Sequence, residues 1–558
     1  MSTETIRDLE LERVVAAFCP HEPYRKVMAP IVYNLCLDPA TIRYRQEVLS
    51  DLQEQPKLAA VLHNLLPLLD ELALFSYRRA DEMTTLHKVV ARVGELELLH
   101  EAVHQLRQAF TALTAPLQST GLTALYNHVE SLAVDTNFQH LVGSLPSLLA
   151  KLRTSASITI GVNLDHLMRP EEAVLLAVND FRFSDNSFLD RMLGKGAKDG
   201  KGIAPLHTPP LMSKGSGMIT GGAPVNGPLQ RVDPMLVPLF KDLSEILEKV
   251  TKPIAHELKK YMQLNGRFLI DLRPDIIFYV HALTLTEKLS QAGMTWCWPE
   301  IAPAAARLCQ VQDTYNLQLA IQGLHRDDKQ PLPQHVIAND INMDENGRIA
   351  ILTGPNQGGK TTYMQAIGLV QVLSQLGLPV PGTSGCISPV DAIYTHYPSE
   401  ERLELGTGRF GDEAQRIRAI FEQVTRHSLV LFNESLATTN MGESIYLARD
   451  IVCVLRQIGL RAVFTTHLHD LAAAVGDINA ETTGDSKVVS LVVSPGAEEG
   501  DDNGRYNYRV QMGPPLGRSY ANHIAARYGI NFDQLQTLLA QRNLLVTAPP
   551  LNPPASRR

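Results

Sequence analysis

Apolar positions recur at helical spacing through most of residues 1–155, with only short breaks. The clearest helix start is in the segment LDPATIRYRQEVLSDLQ, where Asp38 is a favourable N-cap and Pro39 suits the first helical position. Ile42 and Leu49 then fall on one face of that helix. We therefore predict that the first part of the chain is a helical region.

The pattern changes near residue 155. In SITIGVNL the apolar residues Ile158, Ile160, Val162 and Leu164 alternate strictly with other residues, which predicts a β-strand. Residues 191–232 are then rich in Gly and Pro. Within 191–220 they carry one acid, Asp199, and five basic residues: Arg191, Lys195, Lys198, Lys201 and Lys214.

This basic stretch allows two interpretations. One is a flexible loop whose charges are solvated. The other is an arm that contacts a nucleic-acid backbone, since Lys on a Gly-rich loop can follow phosphates without reading bases. On the second interpretation the candidate DNA contacts are Lys195, Lys198, Lys201 and Lys214.

A long helical stripe follows over residues 235–264, with apolar residues in steps of three and four and with Pro253 as the expected site of a kink. The stripe is narrow, which favours a lever-like helix packed on a partner helix. An ordinary amphipathic core helix has the same pattern, so both remain open.

From about residue 331 strands and helices alternate, which is typical of an α/β domain. The tail 546–558, VTAPPLNPPASRR, is Pro-rich and is expected to be disordered. A length of 558 residues predicts several domains, and the net charge of −8 excludes a uniformly basic surface but not a local basic patch. No signal peptide or membrane-spanning apolar run is found, and the six cysteines form no CxxC pair, so we expect a cytoplasmic protein.

The strongest motif is a phosphate-binding loop, or Walker A motif, in GRIAILTGPNQGGKTTYMQAIG. The run Gly354-Pro355-Asn356-Gln357-Gly358-Gly359-Lys360-Thr361 satisfies GxxxxGK[ST], and it lies between an apolar strand and a helix that extends to about Leu376. Backbone N–H groups and the helix N-terminus can hold phosphates in such a loop. Lys360 would reach the terminal phosphates and Thr361 would ligate Mg²⁺, so the sequence predicts binding of a nucleoside triphosphate.

The residues around this loop resemble the MutS family. TGPNQGGKTTYM is similar to the MutS loop TGPNMGGKSTYM, VIANDI (336–341) resembles the strand that leads into the MutS ATPase domain, and AVFTTHLHDL (462–471) resembles FATHYHEL. HSLVLFNES occupies the place of the second nucleotide motif, and QMGPPLGRSYANHIAARYGI (511–530) resembles the closing segment. A weaker similarity, in LDPATIRYRQEVLSDL and WPEI, extends to the N-terminal part.

The resemblance implies a multidomain chain: a helical core and lever domain (1–155), a small clamp-like insertion that is Gly-rich and basic (156–235), returning lever helices (236–330), an α/β ABC-type ATPase domain (331–545) and a disordered tail (546–558). It also has departures. The chain starts at the MutS core, so we expect a divergent branch without the mismatch-reading and connector domains. The signature Ser-Gly-Arg-Ser-Thr-Phe is replaced by the run 405–410, which keeps Gly406, Gly408 and Arg409 but has lost two serines.

MutS ATPases form composite sites between two subunits, so the resemblance implies a homodimer with ATP and Mg²⁺ as cofactors. It places the phosphates on residues 354–362, which include Thr362, and the adenine near Tyr508, although a core tyrosine is an equally good interpretation of Tyr508. It makes Glu434 the group that activates water and His467 a γ-phosphate sensor, and it directs Gly406, Gly408 and Arg409 to the partner's nucleotide. His469 has no such support.

The segment SLVLFNES ends in Asn433-Glu434 where the family has Asp-Glu. An amide offers Mg²⁺ a dipole instead of a charge, so the metal site should be weakened, while the acid that activates water is kept. We therefore expect slow ATP hydrolysis, with ATP binding closing a dimeric clamp on mismatched, damaged or branched double-stranded DNA. The alternative is an ATP-gated clamp or scaffold that acts on a protein or RNA. An ABC transporter subunit is disfavoured because it has no place for the lever helices.

Overall fold

The computed structural model describes residues 1–77, 85–153, 157–167, 170–179, 184–185, 201–202, 252–325, 331–398, 409–436, 440–493, 507–515 and 528–542. The chain divides into two compact units. The first comprises residues 1–17, 29–46 and 285–558, and the second comprises residues 18–28 and 47–284, each within the described ranges. The first unit contains the phosphate-binding loop and is therefore the one that carries the candidate site.

Helices fill the described residues from the start of the chain to residue 153. They are Thr3–Asp8, Leu11–Phe18, Glu22–Val32, Pro39–Glu54, Pro56–Tyr77, Thr85–Thr111, Thr120–Val134 and Thr136–Arg153. Asp38 caps the fourth helix as expected, because its carboxylate accepts hydrogen bonds from the backbone N–H groups of Ala40 and Thr41 at 3.1 and 3.0 Å. The helical character predicted for this region is confirmed in these residues.

The second unit also contains an antiparallel β-hairpin. Strand Ser157–Leu164 pairs with Pro170–Asn179, which confirms the strand predicted from the alternation in SITIGVNL. Lys201–Gly202 forms a two-residue parallel pairing with Ser184–Asp185. Farther along, residues 252–258 are helical and continue into the 3₁₀ turn Lys259–Tyr261. Residues 235–251 of the predicted stripe lie outside the described residues. Residues 262–263 form a turn, so the helical conformation ends at Tyr261, before the predicted end at 264.

A six-stranded sheet forms the centre of the first unit. Its strands, in spatial order, are Ile393–His396, Leu429–Asn433, Arg461–Thr465, Ile349–Thr353, Val488–Val493 and Val510–Met512, all parallel except the last. Three of the central strands consist entirely of buried residues, as expected when helices cover both faces of a parallel sheet. The phosphate loop and Asn433 therefore lie at the carboxyl ends of two parallel strands that flank Arg461–Thr465, at the edge of the sheet where ligands bind in open α/β sheets.

The first unit has further described helices: Leu317–Gly323, Lys360–Gln375, Arg409–Phe421, Met441–Ile458, His469–Ala473, Val475–Glu481 and Phe532–Gln541. The helix Arg267–Gln291 has residues 267–284 in the second unit and residues 285–291 in the first. A second sheet of four strands has the order Glu300–Ile301, Ser384–Ile387, Cys309–Thr314 and Asn339–Met343, and Trp296–Cys297 pairs with Val380–Pro381. The strand predicted at 336–341 starts later, at Asn339, and residues 336–338 form an irregular connection between the 3₁₀ turn at residues 332–334 and the strand.

The N-terminal helix Thr3–Asp8 belongs to the first unit and packs on the edge strand of its sheet. Thr5 Oγ1 donates to the carbonyl oxygen of Ile393 at 2.9 Å, and Thr395 Oγ1 donates to Asp8 Oδ2 at 2.8 Å. Leu9, which follows the helix, is fully buried. The first residues of the chain are thus part of the structure that supports the site.

A cluster of arginines lies near the amino ends of the central strands. Arg348 precedes one strand, and its guanidinium is 3.2 Å from Asp485, which also pairs with Arg307 and, at 2.9 Å, with Arg426. Arg307 and Arg348 are buried, whereas Asp485 is 44% exposed. One carboxylate therefore faces three guanidinium groups, two of which have little access to water.

The described chain is a multidomain α/β protein. The domain boundaries proposed from the sequence, at 155/156, 235/236, 330/331 and 545/546, stay predictions. None of the described helices is both long enough and apolar enough to cross a membrane.

Candidate nucleotide site

The phosphate-binding loop connects the buried strand Ile349–Thr353 to the helix Lys360–Gln375, as the sequence predicts. Two of its residues have left-handed backbones, Gln357 with φ 63° and Gly359 with φ 90°. The left-handed backbone favours glycine at position 359, and a Cβ there would also make a tight contact of 3.3 Å with Cδ1 of Tyr508. This conformation turns the chain directly into the first turn of the helix.

Lys360 is buried beneath this loop, with 4% of its side chain exposed. Its Nζ donates to the carbonyl oxygens of Gly354 at 3.0 Å and Pro355 at 3.1 Å, and it lies 3.6 Å from Glu434 Oε1. Burial lowers the pKa of the Lys360 ammonium, and the carboxylate of Glu434 opposes that effect. The site therefore contains a partly desolvated cation at the helix N-terminus, which is suited to an anionic ligand.

Glu434 and His467 face this lysine from the ends of two neighbouring strands. Glu434 Oε1 is 2.9 Å from His467 Nε2, and His467 Nε2 is also 3.4 Å from Lys360 Nζ. The hydrogen bond from His467 is the main cause that lowers the pKa of Glu434, and the charges of His467 and Lys360 contribute in the same direction. Glu434 is thus an ionised, half-buried carboxylate that can accept a proton or orient a water molecule.

Asn433 holds two threonine hydroxyls in the same site. Its Oδ1 accepts a hydrogen bond from Thr361 Oγ1 at 3.1 Å and another from Thr465 Oγ1 at 2.8 Å. The amide is buried, and with its Oδ1 directed toward Thr361 it accepts from both hydroxyls. The hydroxyl that the sequence assigns to a metal therefore lies beside the amide that replaces the family's aspartate.

The oxygen atoms around Thr361 fit the Mg²⁺ that the resemblance implies. Mg²⁺ is bound in proteins through one or two carboxylates together with water and substrate phosphates. Thr361 and Asn433 offer a hydroxyl and an amide oxygen, and Glu434 is the adjacent carboxylate. Within the described part of the chain no cluster of three or more His, Cys, Asp or Glu side chains could hold a metal ion. A metal here would thus depend on phosphate oxygens and water for most of its ligands.

A cavity of about 440 Å³ adjoins the loop, which is within the usual size of a small-molecule pocket. Asn339 anchors one wall: its Nδ2 donates to the carbonyl oxygen of Tyr508 at 3.1 Å, and its Oδ1 accepts from the N–H of Val510 at 2.8 Å. Tyr508 is half-exposed and has a left-handed backbone with φ 54°. Ile337 and His335 also line the cavity.

Sequence reasoning missed several lining residues. It used VIANDI only as a strand, although Ile337 and Asn339 of that segment face the cavity. It also missed Asn316, whose Nδ2 donates to the carbonyl oxygen of Thr362 at 2.8 Å. The available signal for Asn339 was a polar side chain within a segment already matched to the family. Asn316 carried no comparable signal.

The structure brings Lys360, Thr361, Asn433, Glu434 and His467 together, with Tyr508 across the loop. Other predicted residues are not described. Gly406 and Gly408 lie outside the described residues, and Arg409 begins the helix Arg409–Phe421 without a described side chain. Lys195, Lys198 and Lys214 are also outside, and only the backbone of Lys201 is described, in the pairing of 201–202 with 184–185.

Comparison with known protein families gives two matches. Residues 37–292 match the MutS2 N-terminal domain, and residues 350–536 match MutS domain V. The second match contains Lys360 and the two side chains near its ammonium group, Glu434 and His467. Together the two matched ranges extend over most of the chain.

Curated relatives agree with these matches. The chain is 32% identical over 197 residues to the DNA mismatch repair protein MutS of Leuconostoc mesenteroides, covering 35% of this chain and 22% of the relative. It is 28% identical over 296 residues to Endonuclease MutS2 of Streptococcus uberis, covering 53% and 35%. It is 31% identical over 204 residues to Endonuclease MutS2 of Thermus thermophilus, covering 36% and 25%. The chain thus spans between about a fifth and a third of the length of these relatives, and the matches establish that it belongs to the MutS family.

Proposed function

We propose that this chain is a MutS-type, ATP-dependent DNA-binding protein in which ATP binding, followed by slow hydrolysis, closes a homodimeric clamp on mismatched, damaged or branched double-stranded DNA. The observation that carries the proposal is the arrangement of Lys360, Glu434 and His467 within hydrogen-bonding distance beside a 440 Å³ cavity, in a chain of the MutS family. The names of the relatives, a mismatch repair protein and an endonuclease, support a role in DNA repair.

In this proposal the loop residues 354–362 and Lys360 hold the phosphates of ATP, and the base enters the cavity near Tyr508. Lys360 Nζ exchanges its hydrogen bonds with the carbonyl oxygens of Gly354 and Pro355 for phosphate oxygens. Glu434 orients a water molecule and accepts its proton as the water oxygen bonds to the γ-phosphorus and the bond to the bridging oxygen breaks, which gives ADP and phosphate. His467 keeps Glu434 ionised and contacts the γ-phosphate.

Thr361 and Asn433 would hold the Mg²⁺, which when bound neutralises charge on the phosphates. The predicted signature residues Gly406, Gly408 and Arg409 would contact the nucleotide of the partner subunit. We further propose the cytoplasm as the location, the lever and clamp arrangement given above, and DNA contacts through Lys195, Lys198, Lys201 and Lys214.

A gel-shift experiment tests the DNA-binding proposal. The full chain is incubated at low salt with homoduplex, mismatched and branched DNA, each with ATP, with ADP and without nucleotide. We expect a shift that depends on the nucleotide and weakens as the salt concentration rises, because phosphate contacts dominate such binding. If no nucleotide-dependent shift occurs on any of these DNAs, the DNA-binding proposal is wrong and a protein or RNA client becomes the better interpretation.

Asn433→Asp tests whether the amide weakens the metal site. The aspartate keeps an oxygen that can accept from Thr361 and Thr465 and adds a negative charge, so half-saturation with Mg²⁺ should occur at a concentration lower by about tenfold or more. Binding of a fluorescent ATP analogue and hydrolysis are both titrated with Mg²⁺. Asn346→Asp adds the same charge at an exposed turn and serves as the control. Equal rates for the parent protein and Asn433→Asp at limiting Mg²⁺ would show that Asn433 does not attenuate the site.

A further inference from the structure

The three residues that follow the central strand Leu429–Asn433 form a strained turn. Glu434 has φ 48° and Leu436 has φ 65°, so two residues with side chains adopt the left-handed conformation within one turn. Such backbones persist only where the surroundings hold them, and they concentrate at functional sites. The direction of the Glu434 carboxylate therefore depends on what holds this turn.

Four side chains from four other elements hold it. One is Thr465, whose carbonyl oxygen and Oγ1 accept from the N–H of Glu434 at 3.0 and 3.2 Å.

The other three side chains hold Ser435 and Leu436. Leu436 donates its N–H to Glu413 Oε1 at 2.6 Å, and its carbonyl oxygen accepts from Ser444 Oγ at 2.7 Å. Ser435 Oγ shares a hydrogen bond of 2.6 Å with Nδ1 of His396. Leu436 is 2% exposed, so water cannot replace these partners easily.

Of the three, Glu413 provides the charge-assisted bond. A carboxylate that accepts from a backbone N–H makes a shorter and stronger hydrogen bond than a neutral acceptor does. Ser444 and His396 are neutral partners. The serine hydroxyl carries no charge, and His396 is neutral because burial, assisted by the charge of Arg416, lowers its pKa to about 3. Removing Glu413 would leave the buried N–H of Leu436 without its acceptor, in a turn that contains two left-handed residues.

Glu413 also connects this turn to the helix Arg409–Phe421. The same helix contacts the strand end beside His396, because Arg416 donates to the carbonyl oxygen of Tyr397 at 2.6 Å. The helix thus contacts the turn through Glu413, and through Arg416 it contacts Tyr397, the residue next to His396. A displacement of this helix would be transmitted to residues 434–436.

We propose that Glu413 is a positioning residue for hydrolysis, which holds the left-handed turn 434–436 and thereby aims Glu434 at the water that attacks the γ-phosphate. The inference rests on the proposed function, since it assigns Glu434 the role given there. It predicts that Glu413 affects the chemical step without affecting capture of the nucleotide, because Lys360 and the loop do not depend on it.

The test compares Glu413→Ala with Glu413→Gln in the full chain. Glutamine retains an oxygen that can accept from the N–H of Leu436, whereas alanine retains none. We expect Glu413→Ala to lower the rate of ATP hydrolysis by at least tenfold with less than a threefold change in affinity for a fluorescent ATP analogue. Glu413→Gln should stay within about threefold of the parent protein in both measurements. Glu422→Ala removes a neighbouring exposed carboxylate that pairs with Arg418 and is the matched control.

Hydrogen exchange measured by mass spectrometry supplies a second readout that needs no turnover. In Glu413→Ala the peptide that contains residues 434–436 should exchange at least tenfold faster, while peptides from the loop helix 360–375 should not change. Unchanged exchange in that peptide, or hydrolysis by Glu413→Ala at the parent rate, would overturn the positioning role. Loss of activity equal in Glu413→Gln and Glu413→Ala would also overturn it. Failure of the parent protein to bind or hydrolyse ATP would instead refute the proposed function. Hydrogen exchange separates the two outcomes, because it reports whether Glu413 holds residues 434–436 even when no ATP is hydrolysed.

Discussion

Replacing Glu434 by glutamine is expected to lower the rate of ATP hydrolysis by about 10³-fold while the protein still binds ATP. Glutamine can still accept a hydrogen bond from His467, but it cannot take a proton from water at neutral pH. The substitution also removes the negative charge 3.6 Å from Lys360 Nζ, so the affinity for ATP should be equal or higher. Single-turnover hydrolysis and equilibrium binding measured on the same preparation separate the two effects.

The control for this prediction is Glu345→Gln, which removes an exposed carboxylate away from the turn 434–436. Because the pKa of Glu434 lies below its ordinary value, the carboxylate stays ionised from about pH 6 to 8. Titration of Glu434 should therefore add no pH dependence to the rate in that interval. Hydrolysis by Glu434→Gln within threefold of the parent rate would mean that another group activates the water.

The second large effect is on stability. Asp485→Ala leaves the guanidinium groups of Arg307 and Arg348 buried without their carboxylate. Removing one partner of a buried ion pair typically costs about 3–5 kcal/mol of unfolding free energy, and the partial exposure of Asp485 places our expectation near the lower end, at about 3 kcal/mol. The two tryptophans of the chain, Trp296 and Trp298, both lie in the first unit. Denaturant unfolding followed by tryptophan fluorescence therefore reports on the unit that contains the cluster.

The exposed pair Arg449 and Glu481 provides the control for that stability prediction, because Glu481→Ala should cost less than about 1 kcal/mol. The hydrogen bond from Arg307 is the first cause that lowers the pKa of Asp485. A carboxyl with a lower pKa in the folded state contributes stability above its unfolded pKa, near about 4, and this stability is lost as the pH falls through the folded pKa. The difference between the parent and Asp485→Ala should hence shrink below about pH 4. An equal loss in both variants at neutral pH would contradict the special role of Asp485.

The phosphate loop and its two flanking elements could be predicted because their signals are local. An apolar run, a glycine pattern and a helix with a clear end occur within about thirty consecutive residues. The capped helix at Pro39 and the strand at Ser157–Leu164 were predictable for the same reason, since each depends on neighbouring residues alone. Lys360, Glu434 and His467 could be named together only through the resemblance to the family.

The features that were missed depend on residues far apart in the sequence. Glu413 lies 23 positions from Leu436 and His396 lies 39 from Ser435, and no periodicity links them. Asp485 is in the polar stretch ETTGDSK, which reads as an ordinary loop until Arg307 is placed beside it. Left-handed backbones at Glu434 and Leu436 cannot be anticipated from residue types that rarely adopt them.

The position of the N-terminal helix has a consequence for synthesis. Thr5 and Leu9 are buried in the first unit, yet the strand that Thr5 contacts begins at Ile393. A ribosome that adds about 5–20 residues per second needs about 20–80 s to make the intervening chain. During that interval the apolar side chains of the first helices lack their final partners. The segment around Thr5 and Leu9 is therefore expected to be a binding site for chaperones until the strand that begins at Ile393 has left the ribosome.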